Sequence, residues 1–332
     1  MKKLVLAFLI ALLGIGFLGT GFAQSEEEAV RLGKKGSEAF GKGRYEEALN
    51  YYNTALKINS ELKRPEGIVL NLSQIGWAYH HLDRLNEALK YFREGSKIGR
   101  DNNLPQGTAE NLRGIGQVCR QFGRYDEALR CYEEALKIDR ELKMPGRSAR
   151  TLSGMGGVYS DLGRYDEALK YLEEGLKIAR GLKRPSITGL LLGRIGGVYT
   201  TVGRYDEALR CYEEALKINR RLKNVSGIPS NLNGIGLVYL ARKDYGKAEE
   251  FFKEGQKEHQ NILKGTISLS LRSKFSRSRG LIETYVARGE YKEALKMLNE
   301  RIPPSSSNPL FRTWYHGCKG FVLKGLGRLE DA

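Results

Sequence analysis

The chain has 332 residues, of which 28% are charged and 41% hydrophobic, with 40 glycines and 8 prolines. This balance excludes a disordered chain, which is poorer in hydrophobic residues, and a collagen, which is far richer in proline. The formal net charge is +16, but basic residues are interleaved with glutamates, which is typical of solvated helix surfaces and does not favour nucleic acid as a partner.

The first residues have the pattern of an export signal. Lys2 and Lys3 precede an uncharged apolar run from Leu4 to Phe22, and small residues around Ala23 form a cleavage site before Gln24. We therefore predict a signal peptide over 1–23, a secreted or periplasmic protein, and no stable membrane insertion after cleavage. The alternative is an uncleaved membrane anchor, because about 18 apolar residues can span a bilayer.

A segment of seven residues organises the rest of the chain. Gly-Arg-Tyr-Asp-Glu-Ala-Leu begins at Gly123 and recurs unchanged from Gly163 and Gly203, a spacing of 40 residues. Related segments begin at Gly43, Asp83, Lys243, Gly289 and Gly327. Self-similarity at such a period indicates a solenoid of stacked units, each of which covers the apolar side of its neighbour. We predict about seven repeats plus a truncated eighth, with the solenoid over 24–300.

Each unit contains two predicted helices, which the third unit illustrates. From about Thr108 to Gln121, Leu112, Ile115 and Cys119 recur at helical spacing and define a first helix, called helix A. Gly123 can adopt the left-handed conformation that ends a helix. A tight turn is therefore expected after helix A.

The second helix of the unit, helix B, is predicted to begin near Tyr125. Asp126 and Glu127 would lie in its first turn, where the helix dipole favours carboxylates. Small side chains, such as Gly116 on helix A and Ala128 on helix B, allow the two helices to approach closely. A proline marks the start of the next helix A at the same register in four units: Pro65, Pro105, Pro145 and Pro185.

Small residues at two fixed registers carry a family resemblance. A glycine recurs on helix A at Gly36, Gly76, Gly116, Gly156, Gly196 and Gly236, and an alanine twelve residues later at Ala48, Ala88, Ala128, Ala168, Ala208 and Ala248. With the aromatic residue that follows, this pattern resembles the tetratricopeptide repeat in the lengthened form of kinesin light chains, LGN-type polarity adaptors and many bacterial sensor proteins. The resemblance implies an all-α fold: an α-solenoid of stacked antiparallel helix pairs, forming a right-handed superhelix whose concave wall of A helices binds peptide segments.

The family geometry, transferred register by register, predicts which side chains lie at or near this concave groove. They vary between units, whereas the packing positions repeat. Arg113, Arg120 and Arg194 are expected to pair with carboxylates of an acidic partner, and Trp77 to serve as an anchor. The alternative is a groove that is merely hydrated, or filled by another part of the full-length chain. The predicted groove residues are Gln74, Trp77, His80, His81, Arg113, Gln117, Arg120, Gln121, Ser153, Ser160, Asp161, Arg194, Thr200, Thr201, Asn233 and Leu237.

Signatures of catalysis are not found in the sequence. It contains no Walker motif, GxSxG or HExxH, and its GxGxxG string lies inside the predicted export signal. Cys119, Cys131 and Cys211 occupy registers that hold Tyr or Phe in other units, so we expect buried apolar positions. We predict no enzyme activity, no cofactor, no metal and no small-molecule substrate.

Two irregular segments follow the sixth unit. The basic segment 259–281 is either a lengthened helix pair or a loop for an anionic partner. Residues 301–332 are predicted as a short linker and an incomplete terminal repeat, because Gly327 to Ala332 matches the start of a helix B.

The leading hypothesis is a protein-interaction scaffold outside the cytoplasm that binds protein or peptide, with a preference for acidic segments. The alternative is a sensor region of a longer protein whose effector domain, a CHAT-type peptidase, a kinase or a cyclase, lies beyond residue 332.

Overall fold

The computed structural model describes residues 25–224, 227–263, 271–301 and 309–327. Every regular element in these ranges is an α-helix, and the described residues contain no β-strand. None of the helices there combines the length and the apolar character needed to cross a bilayer. The predicted signal peptide over 1–23 lies outside the described residues.

The helices alternate between the two predicted types. The A helices are α1 (25–41), α3 (Pro65–His81), α5 (Pro105–Gln121), α7 (Pro145–Asp161), α9 (Pro185–Thr201), α11 (Gly227–Ala241), α13 (Leu271–Ala287) and α15 (Pro309–Gly325). The B helices are α2 (Tyr45–Glu61), α4 (Leu85–Asp101), α6 (Tyr125–Glu141), α8 (Tyr165–Gly181), α10 (Tyr205–Arg221), α12 (Tyr245–Leu263) and α14 (Tyr291–Arg301). The predicted α-solenoid of stacked helix pairs is confirmed.

The helices form two compact units, Met1–Leu142 and Lys143–Ala332. In the first unit α3 packs on α4 and α5 on α6, and α3 also contacts α5. In the second unit the pairs are α7 with α8, α9 with α10, α11 with α12 and α13 with α14, and each A helix from α7 to α11 contacts the next A helix. Consecutive A helices therefore lie side by side within each unit.

Helix A begins earlier than the apolar periodicity indicated. The first turn of α5 starts at Pro105, whereas the sequence pattern placed the start near Thr108. Proline occupies the first helical position, where its missing N–H costs no hydrogen bond, so the helix extends to the proline itself. The predicted start of helix B at Tyr125 is confirmed.

The turn between helix A and helix B has the expected left-handed residue. Gly123 has φ +73°, but Asp83 and Lys243 adopt φ 62° and 63° at the same register without being glycine. The opposite turn, from helix B to the next helix A, also has a left-handed residue, which is a lysine in four repeats: Lys63, Lys143, Lys183 and Lys223. The sequence pattern did not reveal these strained positions, because lysine rarely adopts this conformation.

Glycines on the A helices make room for rings of the B helices. A methyl group on Gly76 would lie 2.6 Å from the Phe92 ring, and one on Gly114 of the next A helix would overlap the same ring. In the third repeat the same space beside Gly116 is filled by Tyr132. The recurrent glycines are therefore packing positions that hold a large side chain of helix B against helix A, which is an aromatic ring beside Gly76 and Gly116 and Leu172 beside Gly156.

The basic segment after the sixth unit is partly helical. Helix α12 continues to Leu263, two residues longer than the other complete B helices, and α13 begins at Leu271. This outcome favours the lengthened helix pair. Residues 264–270 lie outside the described part of the chain, as does most of the predicted linker.

Candidate functional site

The A helices of the first unit carry a row of half-buried or exposed side chains that we call the first A face. It comprises Ser37 on α1, Leu70, Gln74, Trp77, His80 and His81 on α3, and Glu110, Gln117, Arg120 and Gln121 on α5.

Trp77 is held in one orientation at the centre of this face. Its indole N–H donates a hydrogen bond to Oε1 of Glu110 at 3.1 Å. Its ring meets Phe92 edge to face at a centroid distance of 5.1 Å and His80 at 5.5 Å. Trp77 remains half-buried, so part of a large and immobilised apolar surface is available to a partner.

A chain of amides connects the floor of the face to α1. Asn59 donates to Asn71 at 2.8 Å, Asn71 donates to Gln74 at 3.1 Å, and Gln74 donates to the Ser37 hydroxyl at 3.5 Å. These bonds satisfy polar groups that would be costly to bury alone. They also fix the side chains that border an open cleft.

The cleft lies between α1 and α3 and has a volume of about 580 Å³. Two aliphatic side chains on its rim are unusually exposed, Val30 at 50% and Leu70 at 58%. Its charges are mixed, since Lys34 and Arg64 line it together with glutamates. The cleft therefore offers apolar contact without a dominant charge.

Histidines occupy the end of α3. His80 Nε2 and Gln121 Nε2 are 3.0 Å apart, which joins α3 to α5. His81 stacks on Tyr45 at a centroid distance of 4.9 Å and meets Phe40 edge to face at 5.1 Å. Desolvation by this packing lowers the pKa of His81 below its usual value.

Arg113 is not on the open face, in contrast to the role predicted for it. Only 5% of this residue is exposed, and its guanidinium pairs with the fully buried Asp139 at 2.8 Å and with Glu110. The reason is that this register points between helices α5 and α6, where the carboxylate of Asp139 attracts the guanidinium. Arg113 is therefore already neutralised within the helix pair.

The other predicted residues of the first unit lie on its A face. Gln117 accepts a hydrogen bond from the Tyr132 hydroxyl at 3.3 Å. Arg120 and Gln121 are half-buried, and His81 is exposed. Together with Gln74, Trp77 and His80 they form a continuous group on α3 and α5.

The second unit places serine and threonine side chains at several of the same registers. Ser153 is buried, with 2% exposure. The hydroxyls of Thr200 and Thr201 donate to Gly196 and Gly197 of their own helix at 2.8 and 3.1 Å. The remaining predicted residues are half-buried, except for the exposed Asp161: Ser160, Arg194, Asn233 and Leu237.

Leu70 and Glu110, which share one register, were not among the predicted groove residues. Both lie five residues after the proline that begins an A helix, and Leu190 at this register is also exposed, at 47%. The sequence feature that indicates exposure at this register is the charged residue found there in two repeats, Glu110 and Arg150.

The cysteines are poor nucleophiles. Burial raises the pKa of Cys119 to about 12 and that of Cys131 to about 11, so both thiols stay protonated at neutral pH. Cys119 is fully buried as expected, whereas Cys131 and Cys211 are only half-buried. Across the described residues no three His, Cys, Asp or Glu side chains converge to hold a metal ion.

Comparison with known proteins identifies the repeat. The sequence profile of the tetratricopeptide repeat matches residues 32–101, 107–181 and 188–257. A comparison with curated proteins finds no match.

Solved structures share the fold at low sequence identity. A Rap protein complexed with the Competence and Sporulation Factor is 16% identical with a TM-score of 0.64, and the match covers 90% of this chain and 76% of that one. The Rap conjugation gene regulator in complex with the Phr* peptide is 15% identical with a TM-score of 0.62, covering 89% and 73%. A STAND signal-transduction ATPase with a tetratricopeptide repeat sensor, from Pyrococcus horikoshii, is 18% identical with a TM-score of 0.55, covering 83% and 45%.

Proposed function

Because the chain belongs to the tetratricopeptide repeat family, we propose that it is a non-enzymatic interaction scaffold whose first A face binds an extended polypeptide segment. The segment lies across α1, α3 and α5, inserts an apolar side chain into the cleft beside Leu70, and packs a second residue on Trp77. Of the similar solved structures, one Rap protein is in complex with the Competence and Sporulation Factor and another with the Phr* peptide.

The fixed orientation of Trp77 is the observation that carries this proposal. An aromatic side chain that is already immobilised loses little conformational entropy when a partner packs on it, so its contact area contributes more fully to affinity. Glu110 holds the indole through its N–H, and Phe92 supports the ring from below. Interface hot spots are rich in such tryptophans.

The partner is defined more by apolar anchors than by charge. The buried pairing of Arg113 removes one of the three arginines on which a preference for acidic segments was based. Basic and acidic side chains line the cleft together, so a neutral, aliphatic anchor residue suits it best. The half-buried amides of the face and the exposed His81 are suited to hydrogen bonds with a peptide backbone.

Selection of displayed random peptides on the folded chain tests the site without requiring that the natural partner be identified. Peptides that are selected should share an aliphatic residue, and their affinity should fall about thirtyfold for Trp77→Ala, the loss typical of a hot-spot aromatic. Leu70→Ser should also lower the affinity of the selected peptides.

Leu162→Ser is the matched control, because Leu162 is exposed at 40% but lies at a turn away from the A helices' faces. Its effect on affinity should be small. Selected peptides that bind Trp77→Ala and Leu70→Ser as tightly as the unchanged chain would contradict the site.

We also propose that the scaffold acts outside the cytoplasm. The support is the pattern of Lys2 and Lys3, the apolar run and the small-residue site before Gln24. Protein recovered from the exported fraction should have the mass of a chain that begins at Gln24. Recovery of the intact chain from the cytoplasm alone would overturn this proposal.

A further inference from the structure

The two edges of the second unit, where its helices turn, differ in charge. The first edge contains the turns from helix B to the next helix A, and the second edge contains the turns from helix A to helix B. We call the first one the basic edge and define it by Leu182, Lys183, Arg184, Arg221, Leu222 and Lys223. All six are exposed.

The two chain segments that contain the basic edge lack acidic residues of their own. Residues 175–190 and 215–224 contain no Asp and no Glu, whereas they contain Lys177, Arg180, Lys183, Arg184, Lys217, Arg220, Arg221 and Lys223. Arg180 and Arg220 are neutralised by Glu214 and Glu254 of the next B helix, at 2.8 and 2.6 Å. The four cations that define the edge form no ion pair with a described carboxylate.

The opposite edge has equal apolar exposure but balanced charge. Leu162 and Val202 there are exposed at 40% and 39%, close to the 40% of Leu182 and 39% of Leu222. Its arginines are paired, as Arg164 with Glu167 at 2.5 Å. The two edges therefore differ in net charge and not in hydrophobicity.

We propose that the basic edge docks the protein on the surface of an anionic phospholipid bilayer. Lysines next to an anionic bilayer are attracted by its surface potential, and half-exposed leucines beside them can enter the boundary between headgroups and acyl chains. The turns 182–184 and 222–223 belong to neighbouring helix pairs, so they present their leucines and lysines along one side of the unit. This attachment is peripheral and involves no spanning helix.

A lipid surface suits this edge better than a nucleic acid does. Residues 175–190 and 215–224 contain no aromatic side chain on which bases could stack. Contact with phosphates does not stabilise an exposed leucine, whereas its transfer from water into a bilayer is favourable. The combination of cations and aliphatic residues thus favours lipid.

The left-handed lysines permit a clean test of this proposal. Lys183 and Lys223 both have φ 51°, a conformation that glycine adopts at no steric cost, so Lys183→Gly and Lys223→Gly remove charge without straining the fold. Lys243→Gly is the matched control, since Lys243 is also left-handed, with φ 63°, but lies on the opposite edge.

Sedimentation of the whole chain with vesicles measures the effect. We expect binding to phosphatidylcholine vesicles with about a quarter phosphatidylglycerol to weaken about fivefold for each of the two lysines removed and to be unchanged in Lys243→Gly. Added salt should weaken the binding of the unchanged chain. The N-terminal apolar residues are present in every variant. Differences in vesicle binding between variants therefore measure the contribution of the basic edge.

Two further measurements separate lipid docking from general polyanion binding. The double variant Leu182→Ser with Leu222→Ser should bind the anionic vesicles more weakly, and a single-stranded oligonucleotide should not compete with them. Equal vesicle binding by all variants would overturn the proposal. Loss of binding in Lys243→Gly, or full binding by the leucine variant together with competition by the oligonucleotide, would also overturn it.

Discussion

The guanidinium of Arg113 lies 2.8 Å from the carboxylate of Asp139, and the exposed fractions of the two residues are 5% and 0%. The pair joins α5 to α6 inside the third repeat. At the equivalent registers several other repeats have uncharged residues, such as Ser73 and Ser153 for the arginine and Asn59 and Asn219 for the aspartate. The buried charges are thus peculiar to this repeat.

Removing one member of this pair should be costly. Arg113→Ser leaves the Asp139 carboxylate buried and without its main cation, and we expect the free energy of unfolding to fall by about 3–5 kcal/mol. Chemical denaturation monitored by circular dichroism measures the change. A loss below about 1 kcal/mol would show that the pair is not buried as described.

Replacing both members should recover much of that loss. Arg113→Ser with Asp139→Asn restores uncharged residues found in other repeats and removes the buried carboxylate that Arg113→Ser alone leaves without its main cation. Glu110 also loses the guanidinium, but its side chain is partly exposed and keeps its hydrogen bond from Trp77. The double variant should therefore be more stable than Arg113→Ser alone, with a coupling free energy of about 1–3 kcal/mol in a double-mutant cycle. Additive losses would contradict direct pairing.

Left-handed lysines are positions at which a substitution by glycine should stabilise the fold. Lys243 has φ 63° at a register where Gly203 has φ 79°. Because a side chain at such φ is strained, Lys243→Gly should stabilise the fold by about 1 kcal/mol, and Gly203→Lys should destabilise it by a similar amount. Thermal denaturation of both variants measures the two shifts, and shifts of the same sign would refute this explanation.

Periodicity predicted the helix pairs because every packing register recurs at a fixed spacing. Gly116 and Ala128, for example, were identified as contact positions, and a methyl group on Gly116 would indeed lie 2.9 Å from the Tyr132 ring. Periodicity locates a residue on a face of its own helix but says nothing about which neighbours it meets.

The burial of Arg113 escaped sequence analysis for that reason. Its partner Asp139 is 26 residues away in the chain and occupies a different helix. Nothing in the repeat pattern distinguishes an arginine that turns toward such a carboxylate from one that faces solvent. The support of Trp77 by Glu110, 33 residues away, was hidden in the same way.

Because helices A and B approach closely, only a small side chain fits at the alanine register. Ala128, which belongs to α6, is fully buried. We expect Ala128→Leu to overpack this contact and to lower the free energy of unfolding by about 1–3 kcal/mol. Glu133→Leu, on the exposed side of the same helix, is the control and should have little effect. An unchanged melting temperature for Ala128→Leu would count against the helix-pair packing.

Protonation of His81 should oppose folding, because its ring is packed between Phe40 and Tyr45 and desolvation lowers its pKa from the usual 6.5. Between the lowered folded-state pKa and 6.5, the unfolded chain binds more protons than the folded one. The contribution of His81 to stability is therefore complete above pH 6.5 and is lost as the pH falls through this range. We expect the melting temperature of the unchanged chain to decrease with acidification in this interval more steeply than that of His81→Gln. Parallel curves for the two proteins, measured by thermal denaturation at a series of pH values, would show that the stacking of His81 on Tyr45 does not desolvate its ring in solution.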